Sequence, residues 1–216
     1  MTGSPPAPIT ASRPPEGVPA LLLYPIFLLS GFAAILYQLV WQRSLFRLLG
    51  TSMESVTMVV TAFMLGLGLG SLAGGLISVK SRWPLALVFG LIEAVIGAFG
   101  LISMPLFAWI ASVTTAATGP AIGGIAFATV LLPTLFMGGT LPILVAAMVR
   151  RSGNVGRSVG MLYFINTIGS AAGSLAAALW LLGALGQSRT VLLAGLINLA
   201  VAASAIAFHG VSRRRA

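Results

Sequence analysis

Six apolar runs, separated by short polar or basic stretches, leave this chain few ways to fold. They cover approximately residues 20–42, 55–79, 84–112, 121–149, 158–183 and 190–208. Each is near the ~20 residues that a helix needs to cross about 30 Å of hydrocarbon. Lipid offers the backbone no hydrogen-bond partners, so every span must satisfy its own amides, and at this length helices serve better than barrel strands. The sequence therefore predicts an all-α, polytopic membrane protein with six transmembrane helices. Only 7% of residues are charged and mean hydropathy is +1.05, against about 25% charge in a soluble domain.

Charge placement gives a direction. The net charge of +9 would point to nucleic acid on a soluble protein. Here the basic residues stand between apolar runs, so the expected partner is the lipid bilayer of the cell (inner or plasma) membrane, with no nucleic acid. Arg13, Lys80, Arg82, Arg150, Arg151, Arg157, Arg213, Arg214 and Arg215 fall on one side, Arg43, Arg47 and Arg189 on the other. By the positive-inside rule both termini are cytoplasmic. Trp41 and Trp83, near span ends, suit the aromatic belts. Residues 1–19, MTGSPPAPITASRPPEGVP, lack the apolar centre of a secretory signal and read as a disordered Pro-rich tail. Residues 20–209 form the membrane domain and 210–216 a basic cytoplasmic tail.

The stretch GLGLGSLAGG, residues 66–75, contains Gly68, Gly70 and Ala73 at the spacing of a dinucleotide-binding turn, with Glu93 about 20 positions on. That fingerprint needs a strand before it, and this one lies inside the second span. Gly66, Gly70 and Gly74 instead recur every four residues, and Gly169 and Gly173 repeat the device in the fifth span, followed by Ala177. In lipid, small residues at this spacing let two helices approach closely.

The chain has no Cys and no Asp, its only acids are Glu16, Glu54 and Glu93, and its one His is His209. Disulfides, thiol catalysis and zinc knuckles are excluded. No metal site, no cofactor and no catalytic residue is expected.

Glu93 lies near the middle of the third span. An ionisable group at that depth costs at least about 2.5–3.5 kcal/mol on insertion scales and marks a functional site by default. Such a carboxyl can exchange protons or accept a cationic substrate; otherwise it is neutral glue bonded to Asn166 or Gln38. Gln38, Asn166, Thr167 and Asn198 are the other polar groups inside the spans, where interhelical bonds average only about 0.6 kcal/mol. Thr51 to Glu54 fits a capping box for the second helix. In the fourth span, Pro133 and Pro142 flank Gly138 and Gly139 and suggest a helix that is kinked or locally opened. Arg43 and Arg47 read as an outer anion patch or as snorkelling anchors. His209 falls at the headgroups, and Arg213 to Arg215 favour anionic lipid.

Four motifs occur in a familiar order: SGFAAILYQLVWQR (residues 30–43), AFMLGLGLGSLAGG (62–75), LFMGGTLPILV (135–145) and VGRSVGMLYFINTIGSAAGSLAA (155–177). Over residues 26–205 the chain resembles the membrane domain of the fused major-facilitator/spermidine-synthase proteins. The resemblance implies a half-major-facilitator-like bundle and an association with polyamines. In that family a cytosolic aminopropyltransferase-like domain follows the helices. Here the sequence ends at Ala216, so the expectation is a domain that is not an enzyme by itself. Two roles stay open. One is transporter-like handling of a small substrate, for which the resemblance implies a polyamine, and which would need a homo-oligomer. The other is an anchor or scaffold for a separately encoded soluble aminopropyltransferase. Gln38 stands where the family carries Glu, and Ser78 stands where the major-facilitator G-x-L-x-D-R loop wants Asp.

The charge asymmetry is directly checkable. Reporter fusions after Ala216 and within residues 153–156 will read cytoplasmic, and one within residues 114–118 will read outside. A C-terminus on the outer side would overturn the count of six.

Overall fold

The computed structural model describes residues 20–49, 53–114 and 119–214. The 1–19 tail, the Thr51–Glu54 cap and the side chains of His209 and Arg213–Arg215 lie outside the described residues. The elements are α1 (Ala20–Leu49), α2 (Met53–Lys80), α3 (Leu85–Val113), α4 (Gly119–Ser152), α5 (Val155–Ala176), a π-helical turn (Ala177–Leu181), α6 (Leu182–Ala184) and α7 (Gly186–Arg214). No strand occurs among the described residues. Six helices are long and apolar enough to cross a membrane, the fifth being α5 continued through the π turn into α6.

Local chemistry sets the breaks. Gly153 takes φ 66° after α4, and Asn154 then caps α5 by accepting the Arg157 amide at 2.9 Å. Gly186 takes φ 70° where α6 turns into α7. Both are left-handed positions that glycine fills without a Cβ clash. Outward-facing side chains are large and apolar, including Leu72, Leu179 and Trp180. Such a surface needs hydrocarbon or another apolar partner against it.

Three helix pairs build the bundle: α2 with α4, α3 with α7, and α1 with α5. Glycine lets the backbones touch. A Cβ on Gly70 or Gly74 would strike the carbonyl of Leu135 or Gly139 on α4, and one on Gly66 would strike Thr134. On the other pair, Gly169 and Gly173 meet the carbonyls of Leu28 and Phe32 on α1. Gly31 of α1 meets the Asn166 carbonyl, just as Gly138 of α4 meets that of Leu67. Apart from Gly66, whose counterpart in the fifth span is Ile165, these contacts correspond one to one, at constant spacing along both pairs. The third pair is its own counterpart: Gly97 faces the Gly195 carbonyl and Leu199, while Gly195 faces the Gly97 carbonyl and Leu101. The first three spans and the last three are thus two structural repeats, interchanged by one two-fold relation.

Three expectations are corrected. Helix α4 is not opened by Pro133 and Pro142 but runs unbroken through both. Thr134 Oγ1 donates to the carbonyls of Val130 and Leu131 at 3.0 and 2.9 Å, and Thr140 Oγ1 to that of Met137 at 2.8 Å. Gly138 and Gly139 lie against α2 and are contact points instead of a hinge. The irregular backbone is in the fifth span, where the π turn follows Gly173. Nor does Trp41 join an aromatic belt. It is fully buried, stacks on Tyr37 at 4.8 Å, meets Phe99 edge-on at 5.4 Å and donates Nε1–H to Ser103 Oγ at 3.0 Å.

Replacing Gly70 by Leu will separate α2 from α4 and lower the melting temperature of the purified protein strongly, whereas Leu69→Gly, at an exposed position, will shift it little. Wild-type stability in Gly70→Leu would mean that the two helices do not touch there.

Candidate functional site

Among the described residues Glu93 is the one acid in the middle of the bundle. It lies on the buried stripe of α3 and is 0% exposed. Ser30 of α1 donates its hydroxyl to one carboxyl oxygen at 2.6 Å. Asn198 of α7 donates Nδ2–H to the other at 2.5 Å. Three spans therefore converge on a single side chain, and neither partner carries a charge.

Beside this cluster is a cavity of about 160 Å³. Its polar lining is Ser30, Gln38, Thr140, Asn166, Ser170 and Asn198, with Phe63, Ile96 and Met137 among its apolar walls. Five of these polar groups have other bonds, Thr140 through the Met137 carbonyl described above. Ser30 and Asn198 hold Glu93, Asn166 Nδ2 donates to the Phe27 carbonyl at 3.4 Å, and Ser170 Oγ donates to that of Gly31 at 3.0 Å. Asn198 Oδ1 and the Tyr37 hydroxyl are buried without a hydrogen-bond partner. A buried acceptor without a donor is unusual in a folded protein.

The sequence groups Glu93 with Gln38 and Asn166, and the structure corrects the detail. The carboxyl is held by Ser30 and Asn198, because α1 and α7 bring those residues to α3 while Gln38 and Asn166 face the cavity. Gln38 and Asn166 line the cavity together with Ser30 and Asn198, the two residues that hold Glu93. Thr167 is exposed and away from the cavity. Sequence reasoning did not single out Ser30 or Tyr37. Ser30 opens the SGFAAILYQLVWQR motif, but nothing in the chain marks its partner 63 residues away.

Ser78 is also well occupied. Its hydroxyl donates to the Gly75 carbonyl at 2.7 Å, and its own carbonyl accepts from Arg150 at 2.7 Å. Arg150 thus ties the end of α4 to the end of α2 without an acid in the loop.

Chemically, the site offers a carboxyl with two neutral donors, a free amide oxygen and a small polar cavity. Among the described residues no three His, Cys, Asp or Glu side chains come together in a way that could hold a metal ion. A carboxylate surrounded by amide and hydroxyl oxygens suits an organic cation with N–H donors.

Comparison with known proteins adds one relative. The chain is 26% identical over 196 residues to polyamine aminopropyltransferase 1 of Streptomyces coelicolor, a match that covers 90% of this chain and 35% of that protein. The chain thus spans about a third of the length of the curated relative it matches. No family model matches, and no solved structure matches. The relative overturns one expectation: a chain read as having no enzymatic part is similar, along nearly its whole length, to a protein named as an enzyme.

Removing the Asn198 amide strands a carboxyl oxygen in a dry interior. Asn198→Leu also removes the unpartnered Oδ1, so the net loss in a reversible unfolding assay will stay below the about 1–3 kcal/mol of a stranded acceptor alone. Ser30→Ala, which removes a donor and no unpartnered atom, will cost about 0.6 kcal/mol. Wild-type stability in Ser30→Ala would show that the hydroxyl does not hold Glu93.

Proposed function

We propose that this chain is the membrane-embedded part of a polyamine aminopropyltransferase-type enzyme, and that its helix bundle takes up a small cationic amine at Glu93. The observation that carries this reading is the fully buried carboxyl, held by Ser30 and Asn198, next to a polar cavity with an unpartnered amide oxygen. A bundle keeps an acid at such depth only when the acid has work to do, since a neutral side chain there inserts more easily. The likeness to a polyamine aminopropyltransferase supplies the substrate class. Polyamines carry ammonium groups on apolar stems, and the cavity offers oxygens and apolar walls together.

The repeat relation supports transporter-like handling. In secondary transporters built from inverted repeats, binding sites lie near the bilayer midplane at the repeat interface. Glu93 on α3 and Asn198 on α7 belong to the pair where the two repeats cross. In this reading the chain is a half-major-facilitator-like unit of the fused spermidine-synthase type, set in the cell membrane with both termini cytoplasmic and working as a homo-oligomer. A second reading rests on the length of the relative, about two thirds of which lies outside the match. There the bundle anchors a soluble aminopropyltransferase to the membrane.

Glu93→Gln separates the two. It keeps size and hydrogen bonding and removes the charge, so insertion will not suffer. In proteoliposomes loaded with the purified chain, radiolabelled spermidine or putrescine uptake will fall at least about tenfold in Glu93→Gln, the loss of one charge-assisted contact. Uptake that is equal in both proteins would remove Glu93 from the function. If a soluble aminopropyltransferase still co-purifies with a Glu93→Gln chain that shows wild-type behaviour, the anchor reading stands.

A further inference from the structure

At the end of the bundle that carries Arg47, an open groove of about 670 Å³ lies among α1, α3 and α7. Leu101, Met104, Pro105, Ala108, Val191 and Leu192 give it a largely apolar wall, and Ser44 and Arg47 stand at its polar end. Arg47 is exposed and donates to Gln187 Oε1 at the start of α7. Ser44 Oγ donates to the same oxygen at 3.4 Å. A snorkelling arginine would extend along its own helix toward water. This one reaches across to α7 at the groove, and its partner is neutral.

Charge gathers there without compensation in the contact itself. Gln187 leaves the guanidinium charge intact and most of its N–H donors available. Arg43, one turn earlier on α1, and Arg189, two residues into α7 from Gln187, are exposed. The one acid that the sequence places at this end is Glu54, at the start of α2. Helix α7, 29 residues long, also points its amino end in this direction.

We propose that this groove is a binding site for an anionic phospholipid, with the phosphate on Arg47 and one acyl chain along the α3–α7 wall. The wall is apolar, so an acyl chain loses nothing on entering from the bilayer. The head is selected by charge: guanidinium groups match phosphate oxygens in bidentate geometry. A zwitterionic choline head brings its own cation toward three arginines and gains less. The site is separate from the Glu93 cavity, whose lining shares no residue with it.

The test uses the whole chain, purified in mild detergent and mixed with phosphatidylglycerol or with phosphatidylcholine, with retained lipid counted by native mass spectrometry. Wild type will retain about one phosphatidylglycerol in preference to phosphatidylcholine. Arg47→Gln will lower that occupancy about tenfold, the effect of one charged hydrogen-bonding group. Ala108→Phe leaves Arg47 in place, fills the chain path from an exposed position and will also lower occupancy. Arg157→Gln, an exposed arginine on α5 outside the groove, will keep it. Thermal melting of each variant checks that the fold is retained. Equal retention of the two lipids by wild type, or wild-type phosphatidylglycerol occupancy in both Arg47→Gln and Ala108→Phe, would overturn the proposal.

Discussion

Backbone contact between paired helices is the constraint on which this bundle rests. In lipid the hydrophobic effect does not drive helix against helix, so association depends on packing and on polar contacts. The chain meets that demand by removing side chains where two backbones cross. Gly70 and Gly74 bring α2 onto the carbonyls of α4, and Gly169 and Gly173 bring α5 onto those of α1. Once these two pairs are fixed by the same device in the same register, α3 and α7 are left to cross at Gly97 and Gly195. The two-fold relation between the halves is therefore a consequence of where the glycines stand.

Symmetry makes the functional asymmetry visible. Under the correspondence set by the glycine contacts, Ser30 matches Met137, Glu93 matches Val191, and Asn198 matches Gly100. Of the two places that the two-fold relation makes equivalent, one carries a hydroxyl, a carboxyl and an amide, and the other a thioether, an isopropyl group and no side chain. Gly100 has a purpose of its own, because a Cβ there would lie 2.5 Å from the Tyr37 ring and hydroxyl. Packing alone does not call for Glu93, since the matching place is filled by a valine. Polar chemistry has been placed on one side of a frame that would fold without it.

How much of this was legible depends on the range of the interaction. The six spans follow from apolar runs longer than the bilayer is thick, and the glycine stripes from four-residue spacing; both are local. Of the two readings of α4, kinked or locally opened, the opening is absent: the helix runs unbroken through both prolines, with Thr134 and Thr140 donating to carbonyls one turn back. The π turn at Ala177–Leu181 has no proline to announce it. Trp41 misled by its position near the end of an apolar run: α1 extends to Leu49, which places Trp41 deep enough to stack on Tyr37 and bond Ser103. Glu93 stood out as a charge in hydrocarbon, but its partners lie 63 and 105 residues away. No spacing rule connects them, only the way α1 and α7 pack on α3.

The unpartnered Asn198 oxygen bears on the proposal of a cationic ligand beside Glu93. Asn198 spends its amide N–H on the carboxyl and leaves Oδ1 buried without a donor. A site designed only for stability would use a residue with no second polar atom, because a stranded acceptor costs about 1–3 kcal/mol. Glutamate and asparagine together make sense when a donor-rich cation arrives: its N–H groups satisfy Oδ1, and its charge balances the carboxylate. The same pair discriminates by charge. A neutral ligand would leave the carboxylate uncompensated in low dielectric, and an anion would be repelled. On the proposed reading, the arrangement that makes this spot costly for an empty bundle is what selects an ammonium group.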